Sequence, residues 1–136
     1  MFTNVLVAVK EGAPAQALIA LATSAAAPQA RLHLVTLLRA GTQEDEPQRL
    51  SRAKAILEEE VDRLRTEGFQ ASAHVGLVVV AAAAELVEIA TREDCDLLVI
   101  GLAKRTRVGK ALMGSDAQRV LLSASCPVLV RHLYGL

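Results

Sequence analysis

The stretch 96–130 constrains the fold more than any other part of the chain. It begins with an apolar run, Leu97–Ile100, and it ends with a second apolar run, Val128–Val130. Between these runs lie a basic loop and a short amphipathic segment that opens at Gly114-Ser115. Two short apolar strands joined through a helix are typical of a parallel sheet that is covered on both faces. The stretch therefore predicts a strand, a loop, a helix and a strand.

The earlier part of the chain alternates in the same way. Further strands are predicted at Val5–Val9, Leu32–Leu38 and, as an edge strand, Ala71–Val75. Further helices are predicted at about Pro14–Ala26, Gln48–Thr66 and Ala82–Glu93. Five strands alternating with four helices predict an α/β fold: one doubly wound domain over residues 1–136, with right-handed crossovers and a five-stranded parallel sheet in the order 3-2-1-4-5.

Some local expectations are specific enough to test. Pro28 should stop the first helix, and Leu77–Val80 should either prolong the edge strand or form a buried connection. In the second helix, Leu50 should open the buried stripe and the acidic run Glu58–Glu60 should face water. Ser115 should cap the last helix.

Charge and composition exclude several classes of function. The formal net charge of the 136 residues is zero, which gives no bulk attraction to nucleic acid or to an acidic membrane. No apolar run approaches the roughly 20 residues of a membrane span, and the N-terminus does not resemble a signal peptide. We therefore expect a cytoplasmic protein. Cys95 and Cys126 are isolated in sequence and are expected to be small buried thiols.

The predicted topology indicates where a ligand would bind. In an open parallel sheet, ligands bind beyond the carboxyl ends of the strands where the strand order reverses. Strands one and four flank that point, and they end at Lys10 and Gly101. Gly114-Ser115 and the helix that begins there would form the other wall, with Lys104 in the basic loop between them. Such a site favours a phosphate or nucleotide, whereas the simpler interpretation is a helix cap beside a solvated loop.

No catalytic constellation is visible in the sequence. A Walker-type loop is absent, since Gly109-Lys110 is followed by Ala111, and a dinucleotide G-x-G-x-x-G is also missing. The three histidines are scattered, and core or surface placement is expected for them. No metal-ligand spacing is present. These observations predict a protein without an enzyme activity of its own.

The chain resembles the universal stress protein family over almost its whole length. The likeness includes NVLVAVKEG at the start, AELVEIATREDCDLLVIG before the basic loop, and GSDAQRVLLSASCPVLV, its most specific part. The resemblance implies the five-stranded doubly wound fold and a homodimer. Pairing in the family often involves the last strand, which is about Pro127–His132 here.

Family members that bind ATP carry the pattern G-x2-G-x9-G-[ST]. Gly101 matches its first glycine and Gly114-Ser115 its last pair, but Lys104 replaces the second glycine. The resemblance also implies an Asp at the end of strand one, where this chain has Lys10, and a Gly before the third helix, where it has Val80.

Two outcomes are consistent with these replacements. The leading hypothesis is a dimeric, non-enzymatic stress-response or signalling module with a degenerate nucleotide site, weak or absent ATP binding and an unidentified protein partner. The alternative is a binding protein for ATP, AMP or another phosphate ligand that uses Gly101, Lys104, Gly114, Ser115 and Lys10. A slow ATPase is a weaker third option, because no Mg²⁺-holding carboxylate pair lies near the basic loop.

Overall fold

The computed structural model describes residues 1–41, 45–102, 104–105, 111–112 and 114–133, and of segments 104–105 and 111–112 it describes the backbone. Within these residues the elements are β1 (Phe2–Ala8), α1 (Ala15–Ala25), β2 (Ala26–Arg39), α2 (Glu46–Thr66), β3 (Gln70–Val78), α3 (Ala82–Arg92), β4 (Leu97–Leu102), β5 (Lys104–Arg105), β6 (Ala111–Leu112), α4 (Ser115–Ser123) and β7 (Val128–His132). Arg107, Lys110 and the tail after Leu133 lie outside the described residues.

The main sheet has the strand order β3-β2-β1-β4-β7, and each neighbouring pair is parallel. This confirms the predicted order 3-2-1-4-5, with β7 as the fifth strand. The chain leaves β1 toward β2 and β3 on one side and then returns through α3 to β4 on the other side. The order therefore reverses between β1 and β4, as a doubly wound sheet requires.

Two apolar layers cover the sheet, and the side-chain alternation of β1 shows how they are divided. Val5 and Val7 pack on one face with residues of α1 and α2. Leu6 packs on the other face with residues of α3 and α4. All three side chains are fully buried. Because successive residues of a strand point to opposite faces, a continuous apolar run is what a strand buried on both sides needs.

The first helix agrees with the prediction, whereas the second strand begins earlier than predicted. α1 runs from Ala15 to Ala25 and ends before Pro28, as expected, because the residue before a proline is disfavoured in helical conformation. β2 begins at Ala26 rather than at Leu32. The pairing of β1 with β2 shifts register between Phe2 and Asn4, and this irregularity accommodates a proline that has no N–H to donate.

The second helix buries two charged side chains that the sequence did not predict to be buried. Arg49 and Glu60 are 5% and 7% exposed, whereas Leu50 is only half-buried. Glu60 was expected to face water, and that expectation is wrong. Its carboxylate accepts two hydrogen bonds from Arg63 Nη1, at 3.1 and 3.0 Å. A partly exposed partner on the next helical turn thus compensates the burial of Glu60.

The edge strand is prolonged, which resolves the ambiguous segment. β3 runs to Val78 at the edge of the sheet, as predicted for an edge strand, and Val79 and Val80 are 82% and 81% exposed.

The basic loop contains a feature that the sequence did not indicate: β5 and β6 pair as a short antiparallel ribbon. Two-residue strands are too short for side-chain alternation to reveal them.

The two cysteines are free thiols, Cys95 buried and Cys126 half-buried. Burial is the main cause that raises the pKa of Cys95 to about 12, and it also raises the pKa of Cys126.

Within the described part of the chain, no helix is both long enough and apolar enough to cross a membrane.

Candidate functional site

The topology predicts a ligand crevice at the carboxyl ends of β1 and β4, and the structure shows how these two ends are arranged. These strands pair directly, with Val5 opposite Leu97 and Val7 opposite Val99. The carboxyl ends of β1 and β4 therefore lie side by side. Lys10 follows β1 and is exposed, and Gly101 lies near the end of β4 and is half-buried. The structure thus places Lys10 and Gly101 at the same end of two neighbouring strands.

Gly101 has a packing role. A Cβ at this position would overlap Leu133 Cδ1, and it would lie 3.0 Å from Leu133 Cγ and 3.3 Å from Leu18 Cδ2. Leu133 is buried, and its N–H donates to the carbonyl of Leu102 at 2.7 Å. The segment after β7 is therefore fixed against the end of β4, and only glycine leaves room for its side chain.

The start of α4 forms the other predicted wall. Gly114, rather than Ser115, is the N-cap residue, and no side chain caps the helix. The prediction that Ser115 is the cap is wrong, because Ser115 already lies in the first turn. Both residues are exposed, and Asp116 lies in the same turn. The helix N-terminus keeps a partial positive charge, but the Asp116 carboxylate offsets part of it.

Lys104 lies in β5, where its backbone pairs with Leu112 of β6. The position of the second motif glycine is therefore part of a paired ribbon. The Lys104 side chain lies outside the described residues, as does the rest of the basic loop between the two short strands.

An ion pair that the sequence did not predict, between the buried Arg49 and the exposed Glu11, lies beside Lys10. The Arg49 guanidinium donates to Glu11 through Nη2 at 2.8 Å and through Nε at 3.3 Å. Its Nη1 donates to the carbonyl of Arg39 at 3.0 Å. These bonds connect the turn after β1, the end of β2 and the first turns of α2. The hydrogen bond from Arg49 is the main cause that lowers the pKa of Glu11.

A sequence signal for Arg49 did exist. It lies four residues before Ala53 and eight before Leu57, so it falls on the buried stripe of α2. A charge within an apolar stripe needs a partner. The partner, Glu11, is distant in sequence, and only the fold reveals it.

A second polar cluster lies toward the amino ends of the strands, on the α3 face of the sheet. Asp96 accepts hydrogen bonds from Thr3 N at 3.0 Å and from Asn4 N at 2.9 Å. Burial alone would raise the pKa of Asp96, but these hydrogen bonds hold it below its ordinary value. His33 Nε2 lies 2.7 Å from Asn4 Oδ1. Burial is the main cause that lowers the pKa of His33.

The strand order and the helices on both faces define a doubly wound α/β protein, and known proteins are similar to it in this architecture. The family model described as the universal stress protein family matches residues 1–132. The chain therefore belongs to the universal stress protein family, as its resemblance predicted.

Individual relatives are similar over shorter segments. A universal stress protein of Methanocaldococcus jannaschii is 40% identical over 57 residues, which are 42% of this chain and 34% of that protein. A universal stress protein of Mycolicibacterium smegmatis is 47% identical over 58 residues, which are 43% of this chain and 45% of that protein. The chain thus matches less than half the length of each of these relatives.

A solved structure is similar over nearly the whole chain. The universal stress protein of Archaeoglobus fulgidus in complex with dAMP is 26% identical, with a TM-score of 0.68. The similarity covers 94% of this chain and 96% of that one. The fold of the two proteins is therefore the same.

Proposed function

We propose that this chain is a non-enzymatic universal stress protein module, a single domain and a homodimer, whose nucleotide crevice is degenerate. The observation that carries the proposal is the ion pair between Glu11 and the buried Arg49 next to Lys10. A purine at the end of β1 needs a hydrogen-bond acceptor, and an ammonium group has none to offer. The nearest carboxylate along the chain, Glu11, is already engaged by Arg49.

The phosphate end of the crevice supports the same conclusion. The glycine that the family pattern places at position 104 is a lysine, whose side chain takes up space that glycine leaves open. Gly101 has a sufficient reason to be glycine in its contact with Leu133. The surviving glycine therefore needs no nucleotide to explain it. The changes thus affect both ends of the crevice.

The proposal is tested by restoring the family pattern. The double variant Lys10→Asp, Lys104→Gly should bind Mg²⁺-ATP measurably better than the unchanged chain in calorimetry. The control is Lys54→Asp, which reverses an exposed charge on α2 away from the crevice. If the double variant and the unchanged chain bind ATP equally weakly, Lys10 and Lys104 are not the cause.

The alternative function is binding of ATP, AMP or another phosphate ligand. It is supported by the spacing of Gly101 and Gly114-Ser115 and by the Archaeoglobus fulgidus protein, which was solved with dAMP. In this case the cations at positions 10 and 104 neutralise the phosphates. A Ser115→Ala, Lys104→Glu variant should then lose affinity for the ligand, whereas unchanged affinity would rule this alternative out.

Dimerisation through Pro127–His132 belongs to the same proposal. β7 is the last strand of the sheet and pairs with β4 on one side. Val128, Leu129 and Val130 remain half-buried, and Leu122 of the preceding helix is 87% exposed. An apolar sheet edge of this kind is a liability unless another chain covers it. The location in the cytoplasm and the identity of a protein partner stay predictions from the sequence.

A further inference from the structure

Ser72, His33 and Asn4 form a connected polar chain that the proposed function does not use. Ser72 and His33 are directly opposite each other on the parallel strands β3 and β2. Ser72 Oγ lies 3.4 Å from His33 Nδ1, and His33 Nε2 lies 2.7 Å from Asn4 Oδ1. A hydroxyl, an imidazole and a group that orients the imidazole thus follow one another, as in activated nucleophiles.

The orientation of Asn4 determines which histidine nitrogen carries the proton. Asn4 Nδ2 donates to the carbonyls of Glu93 at 2.6 Å and Asp94 at 3.0 Å. Its amide oxygen must therefore face His33, and an amide oxygen only accepts hydrogen bonds. Nε2 of His33 is consequently the protonated nitrogen. In the neutral ring, Nδ1 is then a free base directed at the Ser72 hydroxyl.

The carbonyls that fix Asn4 are themselves held by the end of α3. Asp94 has φ 54°, a left-handed conformation. Cys95 N donates to the carbonyl of Ala90 at 2.9 Å, and Asp94 N donates to that of Thr91 at 3.2 Å. These two hydrogen bonds form a Schellman turn, which closes the helix and fixes the carbonyls that follow it. The Asn4 side chain that orients His33 is therefore itself held by fixed backbone carbonyls.

Ser72 and His33 border a cavity of about 240 Å³. Ser72 and His33 line it together with His74, Arg92 and Glu93. The volume lies below the roughly 300–1,000 Å³ of pockets for drug-sized ligands. A small reactant fits, and Arg92 and Glu93, whose Nε and Oε1 lie 4.0 Å apart, bring opposite charges to the cavity wall. The serine is exposed, so a reactant can reach it.

We propose that Ser72 is an acyl-acceptor site, which takes one acyl group from a small activated ester with His33 as general base. Ser72 Oγ attacks the carbonyl carbon and its proton passes to His33 Nδ1. The bond from carbon to the leaving oxygen then breaks, and the proton passes from His33 to that oxygen. The products are an ester on Ser72 and a free alcohol or phenol. This reaction is independent of the nucleotide crevice.

The test uses the full chain and p-nitrophenyl acetate, with acetylated residues identified by peptide mass mapping. We expect acetylation of Ser72, as a hydroxylamine-sensitive ester, and its complete loss in Ser72→Ala. His33→Gln should slow acetylation of Ser72 by roughly 10²-fold, the lower range for general-base catalysis. The internal control is Ser24, whose hydroxyl donates to the backbone carbonyl of Leu21 at 2.7 Å rather than to an imidazole.

A pH profile of the unchanged chain provides a test that needs no variant. The rate at Ser72 should rise as His33 loses its proton and level off above a midpoint below 6.5, the ordinary value for histidine. Glu93 raises the pKa of His33 and Arg31 lowers it, both less strongly than burial does, while His74 and Arg92 also line the cavity. Acetylation of Ser72 no faster than that of Ser24, or a rate without this midpoint, would overturn the proposal.

Discussion

At the scale of single residues, Gly101 separates a packing role from a ligand-binding role. Gly101→Ala should lower the free energy of unfolding by about 1–3 kcal/mol, the usual cost of overpacking a core. The physical reason is the contact of the new methyl group with Leu133. Urea denaturation measures this cost. Gly114→Ala is the comparison variant: a Cβ there meets nothing within 4 Å, so its cost should be limited to the lower preference of alanine for an N-cap position.

A double-mutant cycle decides whether Leu133 is the cause. In a Leu133→Ala background the added methyl group has room, so Gly101→Ala should cost much less than it does in the unchanged chain. An equal cost in both backgrounds would show that the glycine is needed for another reason.

Glu11 makes the stability of the protein depend on pH. Arg49 lowers the pKa of Glu11 in the folded state, so the folded chain releases this proton more readily than the unfolded chain. The stabilisation that the ionised Glu11 gives the folded chain is therefore present above the ordinary pKa of 4.5, and it is lost as the pH falls through the lower pKa of the folded state.

Between pH 7 and pH values below 4.5, Glu11→Gln should lose less stability than the unchanged chain. The control Glu88→Gln, at an exposed helical position, should follow the unchanged chain. Identical pH profiles for Glu11→Gln and the unchanged chain would contradict this account.

At the scale of elements, the sequence predicts what is periodic or wholly apolar. β1 and β4 were recognisable because strands covered on both faces leave continuous apolar runs. The early start of β2 was not, since Ala26–Arg31 contains a proline and polar residues, and its pairing depends on β1. The ion-pair partner of Arg49 was missed for a related reason, because Glu11 lies in the turn after β1 and is distant from α2 in sequence. Tertiary contacts, which have no local signal, decided these cases.

The open edge of β7 gives a prediction at the same scale. Leu98 N donates to the carbonyl of Pro127, and Leu133 N donates to that of Leu102. Odd-numbered residues of β7 therefore direct their backbone groups toward β4, and the Val130 N–H points to the open edge. Val130→Pro removes that donor and leaves the pairing with β4 intact. We expect a dimer for the unchanged chain and a monomer for Val130→Pro in light scattering. Val130→Thr, which keeps the N–H, should remain dimeric, and a monomeric unchanged chain would refute the dimer.

At the scale of the whole molecule, two polar sites lie toward opposite ends of the strands. The strand order was predictable from sequence and was confirmed, while the crevice that it and the spacing of Gly101 and Gly114-Ser115 indicate stays a prediction. The cluster of Asn4, His33 and Ser72 was not, because three different strands supply it and their register is set by the fold. His33, for which the sequence predicted core or surface placement, is half-buried and contacts both Asn4 and Ser72.

The central claim is that the replacements at both ends of the crevice have abolished tight nucleotide binding. The most direct test is titration of Mg²⁺-ATP into the unchanged chain by isothermal calorimetry. The account predicts no binding in the micromolar range. A one-to-one complex with a micromolar dissociation constant would contradict it.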